Sequence, residues 1–155
     1  MPSTTHTPAG AALIELFYAT FQFHGALVAV GDKISAVAGL TMARWQVLGA
    51  LRRAGRPETV SNIARYMGLA RQSVQRTSDE LEKLGLVAFE ANPHHKRALL
   101  VRLTPAGEAA FRHISEMRAP WINGLAAELD AEEVAVAIKL LKILRHKFEE
   151  KGSET

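Results

Sequence analysis

The sequence predicts a mainly α-helical fold carrying one small β-hairpin, and three observations lead there. Apolar residues recur at helical spacing, as in Ile138, Leu141, Leu144 and Phe148. Helix punctuation is frequent: Thr41, Thr59, Thr104 and Asp130 stand where N-caps belong, and Gly39, Gly55, Gly68 and Gly85 where helices stop. Only after Gly85 does the period change, to two short apolar runs around a polar tip at Asn92-Pro93.

Each element follows from its own residues. Residues 1–10, MPSTTHTPAG, have no basic n-region and read as a flexible arm. A long apolar helix is expected over 11–38, stopping near Gly39 and closing a first segment at residue 40. Thr41 opens a helix over 42–54, ended by Gly55 with Pro57 just beyond. Thr59 opens a short helix over 60–67, ended by Gly68, and another helix runs from Arg71 to Leu84, closed by Gly85. Val87–Phe89 and Leu99–Leu103 are strand-like and form the hairpin. Thr104-Pro105 is an N-cap followed by proline at the first helical position, opening a helix that Pro120 should kink or break. Asp130 with Glu133 forms a capping box for a last helix over about 131–149, and residues 151–155 read as a flexible tail.

Composition narrows the function classes. The chain has 155 residues, 48% of them apolar and 23% charged, which suits a soluble globular protein with a real core. With no cysteine, disulfide frameworks, thiolate zinc sites, iron–sulfur clusters and thiol redox switches are excluded. Leu13 to Val30 is nearly continuously apolar and long enough to span a bilayer. Glu15, Gln22 and His24 interrupt it and no basic cluster flanks it, so a helix buried between subunits is the better reading. Charge is uneven: residues 1–105 carry 12 Lys+Arg against 7 Asp+Glu, and residues 106–155 carry 7 against 9. A basic front suits a polyanionic partner.

Three short helices followed by a hairpin is the layout of a winged helix-turn-helix. Ala64 is small where two helices cross, Gly68 permits the left-handed turn between them, and Val74 packs the second helix onto the first, with Ile63 and Leu69 as core partners. In the second helix Val74, Leu81 and Leu84 should face the core. Its N-terminal half carries Arg71, Gln72, Ser73, Gln75, Arg76 and Thr77, while Asp79, Glu80 and Glu82 lie further along. Donors at that end suit phosphates and base edges, and Gln and Arg pair bidentately with adenine and guanine. The same composition alone fits an ordinary solvated helix face; the turn and hairpin beside it favour DNA.

Residues 41–107 resemble the MarR family of winged helix-turn-helix transcriptional regulators. The likeness is carried by Trp45, Val47 and Leu48, by TVSNIARYMGLARQSVQRTSDELEKLGLV (59–87) and by NPHHKRALLVRLTPAG (92–107). It implies a DNA-binding domain over 41–104, a dimerisation helix over 11–40 and C-terminal dimerisation helices over 105–150 that interlock in a homodimer. It also implies that NPHHKR is the wing tip. Arg97 matches an arginine that enters the minor groove, Lys96 precedes it, and His95 stands where the family usually has an aspartate. A neutral His95 could accept a hydrogen bond there; a protonated one would add a cation near phosphate, and the latter is expected to raise DNA affinity at acid pH. Family effectors, small aromatic or anionic molecules, suggest Phe17, Phe21, His24, Arg44 and Trp45 as pocket residues, with Arg44 as anion partner. For each of these residues a place in the core or on the surface is the plainer alternative.

The sequence reading is therefore a cytoplasmic homodimeric regulator, a repressor released by a small ligand, bound to a pseudo-palindromic site in double-stranded DNA. It requires no cofactor, metal, membrane partner or enzymatic activity. Two rivals remain at this stage: a winged protein-interaction module that does not read DNA, and a histidine-based metal sensor built on His94 and His95.

Overall fold

The computed structural model describes residues 5–152. Its elements follow the order α1 (Pro8–Ser35), a 3₁₀ turn (Ala36–Ala38), α2 (Met42–Ala54), β1 (Glu58–Thr59), α3 (Val60–Met67), α4 (Arg71–Lys83), β2 (Val87–Glu90), β3 (Leu100–Leu103), α5 (Pro105–Ala126) and α6 (Ala131–Gly152). The chain divides into two compact units, Met1–Ser115 and Glu116–Thr155.

Local chemistry sets these boundaries. Thr7, Thr41 and Thr59 each accept a backbone N–H of the first turn they cap, from Gly10, Arg44 and Asn62. Asp130 accepts the N–H of Glu132 at 2.7 Å and so opens α6. Gly39, Gly55, Gly68 and Gly85 all adopt the left-handed conformation. The need is clearest at Gly68 (φ 65°), where the chain must reverse between α3 and α4 while the Leu69 N–H returns to the Ala64 carbonyl at 2.9 Å.

The first unit is built on one core. Val47, Leu48 and Leu51 of α2, Ile63 and Ala64 of α3, Val74 and Leu81 of α4, Val87 and Val101 of the hairpin, and Ile114 of α5 are buried together. Side chains as enclosed as Leu48, Leu81 and Ile114 each contribute roughly 1.5–3 kcal/mol relative to exposure. The sheet order is β1-β3-β2, all antiparallel, with Val87 opposite Leu103, Phe89 opposite Val101 and Thr59 opposite Leu100. Thr104 ties the base of the hairpin to the turn after α4. Its hydroxyl donates to the Gly85 carbonyl at 2.7 Å and accepts the Gly107 N–H at 3.0 Å, while its own N–H reaches the Leu86 carbonyl at 3.1 Å.

The second unit holds the end of α5 and all of α6. Trp121, Ile122 and Leu125 of α5, and Ile138, Leu141 and Phe148 of α6, remain exposed in the single chain. In the first unit Tyr18, Phe21, Phe23 and Leu27 of α1 are exposed as well.

Four details correct the sequence expectations. The arm is shorter than residues 1–10, because Thr7 caps α1 and Pro8 occupies its first turn; residues 1–4 lie outside the described residues. At the other end α6 reaches Gly152, so the tail expected from residue 151 begins later, outside the described residues. Pro120 does not end its helix: α5 continues to Ala126. Proline lacks the N–H that would bond one turn back, and at an exposed position water can satisfy the carbonyl so released. Leu84 is 50% exposed rather than buried, because it sits at the C-cap where α4 gives way to the turn; Leu86, two residues on, packs against the core instead.

Candidate nucleic-acid interface

The exposed half of α4 is defined by what its other half buries. Val74, Thr77, Ser78 and Leu81 are spaced i, i+3, i+4 and i+7 and form its buried stripe. Arg71, Gln72, Ser73, Gln75 and Arg76 therefore face outward and are exposed. Thr77 does not. At 7% exposure it belongs to the buried stripe and leaves the set of candidate DNA contacts, since a residue three after Val74 must share its face.

The N-terminal end of α4 is open electrically and sterically. Its N-cap is Ala70, which has no side-chain oxygen to offer, and no acidic residue lies in the first turn. The free N–H groups and the helix dipole at this end favour an anion, and Arg71 and Arg76 add full positive charge beside it. At the far end Glu80 is turned to other work: it pairs with Arg44 of α2, with both Nε and Nη2 at 3.1 Å from Oε2. This partly exposed pair links α4 to α2. Arg44, expected as the partner of an anionic ligand, is thus already held by a carboxylate.

The wing stands beside α4. Glu90 and Arg102 pair across its strands at 3.1 Å. At the tip the Asn92 side chain accepts the His94 N–H at 2.9 Å and its carbonyl accepts the His95 N–H at 3.2 Å. The His95 ring then closes the turn. Its Nδ1 accepts the backbone N–H of Arg97 at 3.3 Å and that of Ala98 at 3.2 Å. This is the bonding a short acidic side chain gives in such turns. His95 therefore bonds the backbone of the wing tip through Nδ1. His94, Lys96 and Arg97 are exposed around it.

Helix and wing meet in one cleft of about 130 Å³, lined by Thr59, Ser61, Arg71, Gln75, Phe89, Arg97 and Leu99 among others. Arg71 and Gln75 from α4 and Arg97 from the wing thus share a concave surface. Ser61, Phe89 and Leu99 were not singled out in the sequence; Ser61 enters because the two-residue strand β1 joins β3 and draws the start of α3 against the wing. In β1, next to Thr59, the Glu58 side chain is 14% exposed. Burial raises its pKa, but the Asn62 side-chain amide and the Arg56 guanidinium outweigh that and hold it below the usual carboxylate value.

The residues suggested for an effector pocket are less well gathered. Trp45 packs against the core and Arg44 faces Glu80, whereas Phe17 is half-buried and Phe21 and His24 are exposed on α1. Among the described residues no group of three or more His, Asp and Glu is placed to hold a metal ion.

Comparison with known proteins agrees with this architecture. The sequence pattern of the MarR family matches residues 38–98, from the end of the 3₁₀ turn to the wing. MarR from E. coli, solved as a mutant in complex with operator DNA, superposes with a TM-score of 0.73 at 25% identity, covering 86% of this chain and 95% of that one. The chain belongs to the MarR family. By fold and family it is a transcription regulator. Two relatives extend the likeness in sequence. An uncharacterized protein of Mycobacterium tuberculosis is 36% identical over 110 residues, 71% of this chain and 76% of the relative. The transcriptional activatory protein BadR of Rhodopseudomonas palustris is 32% identical over 106 residues, 67% of this chain and 58% of BadR.

Proposed function

We propose that this MarR-family chain acts as a homodimer that reads a pseudo-palindromic site in double-stranded DNA, with α4 in the major groove and Arg97 in the minor groove. The observation that carries the reading is the shared cleft, in which Arg71 and Gln75 of α4 face the same concavity as Arg97 of the wing. Arg71, Gln72, Ser73, Gln75 and Arg76 supply donors for bases and phosphates, and Lys96 and Arg97 supply charge at the wing. The operator complex of E. coli MarR supports this mode of use for the same fold.

Dimerisation is supported by the apolar side chains that the single chain leaves uncovered on α1, α5 and α6. Exposed apolar surface on that scale is unusual for a soluble monomer. The α1 helix is apolar and long enough to cross a membrane. Its Glu15 and the fold of a cytoplasmic regulator favour a second copy as its cover.

Repression released by a small aromatic acid is the regulatory sign proposed. A carboxylate bound near Trp45 would compete with Glu80 for Arg44, loosening the tie between α2 and α4, with Phe17, Phe21 and His24 closing the site in the dimer. BadR is named as an activator, so a reporter driven from the selected operator is scored for both signs.

The test is selection from randomised duplexes by the full chain. Two half-sites centred about one helical turn apart are expected, with salt-dependent affinity. Absence of sequence-selective binding would turn the reading to a protein-interaction module. A folded monomer at micromolar concentration in sedimentation equilibrium would overturn the dimer. A ligand that stabilises wild type and Arg44→Ala equally would remove Arg44 from the effector site.

A further inference from the structure

We infer that Asp79 is a positioning residue for base readout, acting by fixing the orientation of the Gln75 carboxamide. The inference rests on the DNA-reading function proposed above. Gln75 Nε2 lies 2.7 Å from Asp79 Oδ1, one helical turn further along α4. An ionised carboxylate only accepts hydrogen bonds, so the amide nitrogen must be the atom that faces it. That settles which way round the carboxamide sits.

The consequence is a polarised recognition edge. A glutamine amide has two N–H donors and one carbonyl acceptor. One donor is taken by Asp79, leaving Oε1 and the second N–H for an outside partner. That remaining donor–acceptor pair is what the major-groove edge of adenine requires, N7 accepting and N6 donating. Without a partner the terminal torsion of glutamine is broad and nearly two-fold, so both orders of donor and acceptor are sampled. Only one order matches adenine in a fixed frame. Asp79 thus selects a base through Gln75 without needing to touch it.

Placing a carboxylate beside a DNA-facing residue also weakens attraction to phosphate. Asp79 is half-buried and bonded to the exposed Gln75, with Arg76 three residues before it on the same helix. Its net effect is to lower affinity for all sequences while raising the distinction among them. An ordinary i,i+4 helix pair, by contrast, would affect helix stability and every DNA sequence alike.

Binding profiles of the full-length protein over single-base variants of the selected operator, together with thermal melts, separate these roles. In Asp79→Ala the preference at one base position per half-site should fall about 5-fold or more, while affinity for random duplex holds or rises. Asp79→Asn, whose side-chain oxygen still accepts from Gln75, should retain the preference. In a Gln75→Ala background the same position should already be degenerate, and adding Asp79→Ala should change it no further. A wild-type preference profile in Asp79→Ala overturns the inference, as does a loss of preference of equal size with or without Gln75. A uniform affinity loss tracking a lowered melting temperature assigns the pair to helix stability and also overturns it. If wild type shows no sequence-selective binding, the DNA-reading function falls and this inference with it; selective wild-type binding with an unaltered Asp79→Ala profile removes this inference alone.

Discussion

In the wing tip, the imidazole Nδ1 of His95 accepts the backbone N–H of Arg97 at 3.3 Å. The same nitrogen accepts the Ala98 N–H at 3.2 Å, and the His95 carbonyl also lies 3.3 Å from that N–H, so His95 holds the turn from which Arg97 projects.

These contacts assign the ring a turn-holding role at the wing tip. His95→Ala should therefore weaken operator binding, whereas His95→Asp and His95→Asn, whose short side chains accept the same N–H groups, should retain the turn. Binding titrations of the three variants against the selected operator check this; a His95→Ala protein that binds as tightly as wild type would leave the ring a passive tip residue.

Arg97→Ala should weaken binding to every site, and most at sites flanked by A·T pairs, where a narrow minor groove concentrates negative potential. The slope of log affinity against log salt should drop by about one. Equal losses at A·T- and G·C-flanked operators would place Arg97 on ordinary phosphates.

Gly107→Ala should destabilise the first unit by about 1–3 kcal/mol. A Cβ at residue 107 would fall on the carbonyl oxygen of Leu86, a backbone atom that already accepts the Thr104 N–H. Chemical denaturation measures the effect. A variant as stable as wild type would mean that α5 can draw away from the hairpin at little cost.

Glu58 predicts part of the acid limb of stability. Its folded pKa is depressed below the ordinary value of 4.5, so the stabilisation is present in full above that value. It is lost as pH falls through the lower folded value, because the unfolded chain takes up the proton first. Wild type should therefore lose more stability than Glu58→Gln between about pH 5 and 3. Parallel pH–stability curves would show that the Asn62 and Arg56 contacts add nothing.

The sequence by itself determined the elements and most of their ends. Thr41, Thr59, Thr104 and Asp130 cap helices through bonds to residues two or three ahead, and the left-handed glycines need only their own missing Cβ. Such signals act within one turn of chain, so they are legible before any fold is known. Most of the outward face of α4 was legible too; Thr77 is buried because its spacing from Val74 puts it on the core face, and Leu84 is exposed because α4 ends there. Only the tertiary structure decided what depends on partners distant in sequence. Strand β1 has two residues, too few for a period, and exists because β3 offers it a pairing edge. Arg44 reads as a free cation until folding brings Glu80, 36 residues away, against it. His95 reads as a charge for phosphate until the turn curls its Nδ1 onto the two amides that follow. In each case the residue type was visible, but its work was set by a neighbour that only the folded backbone supplied.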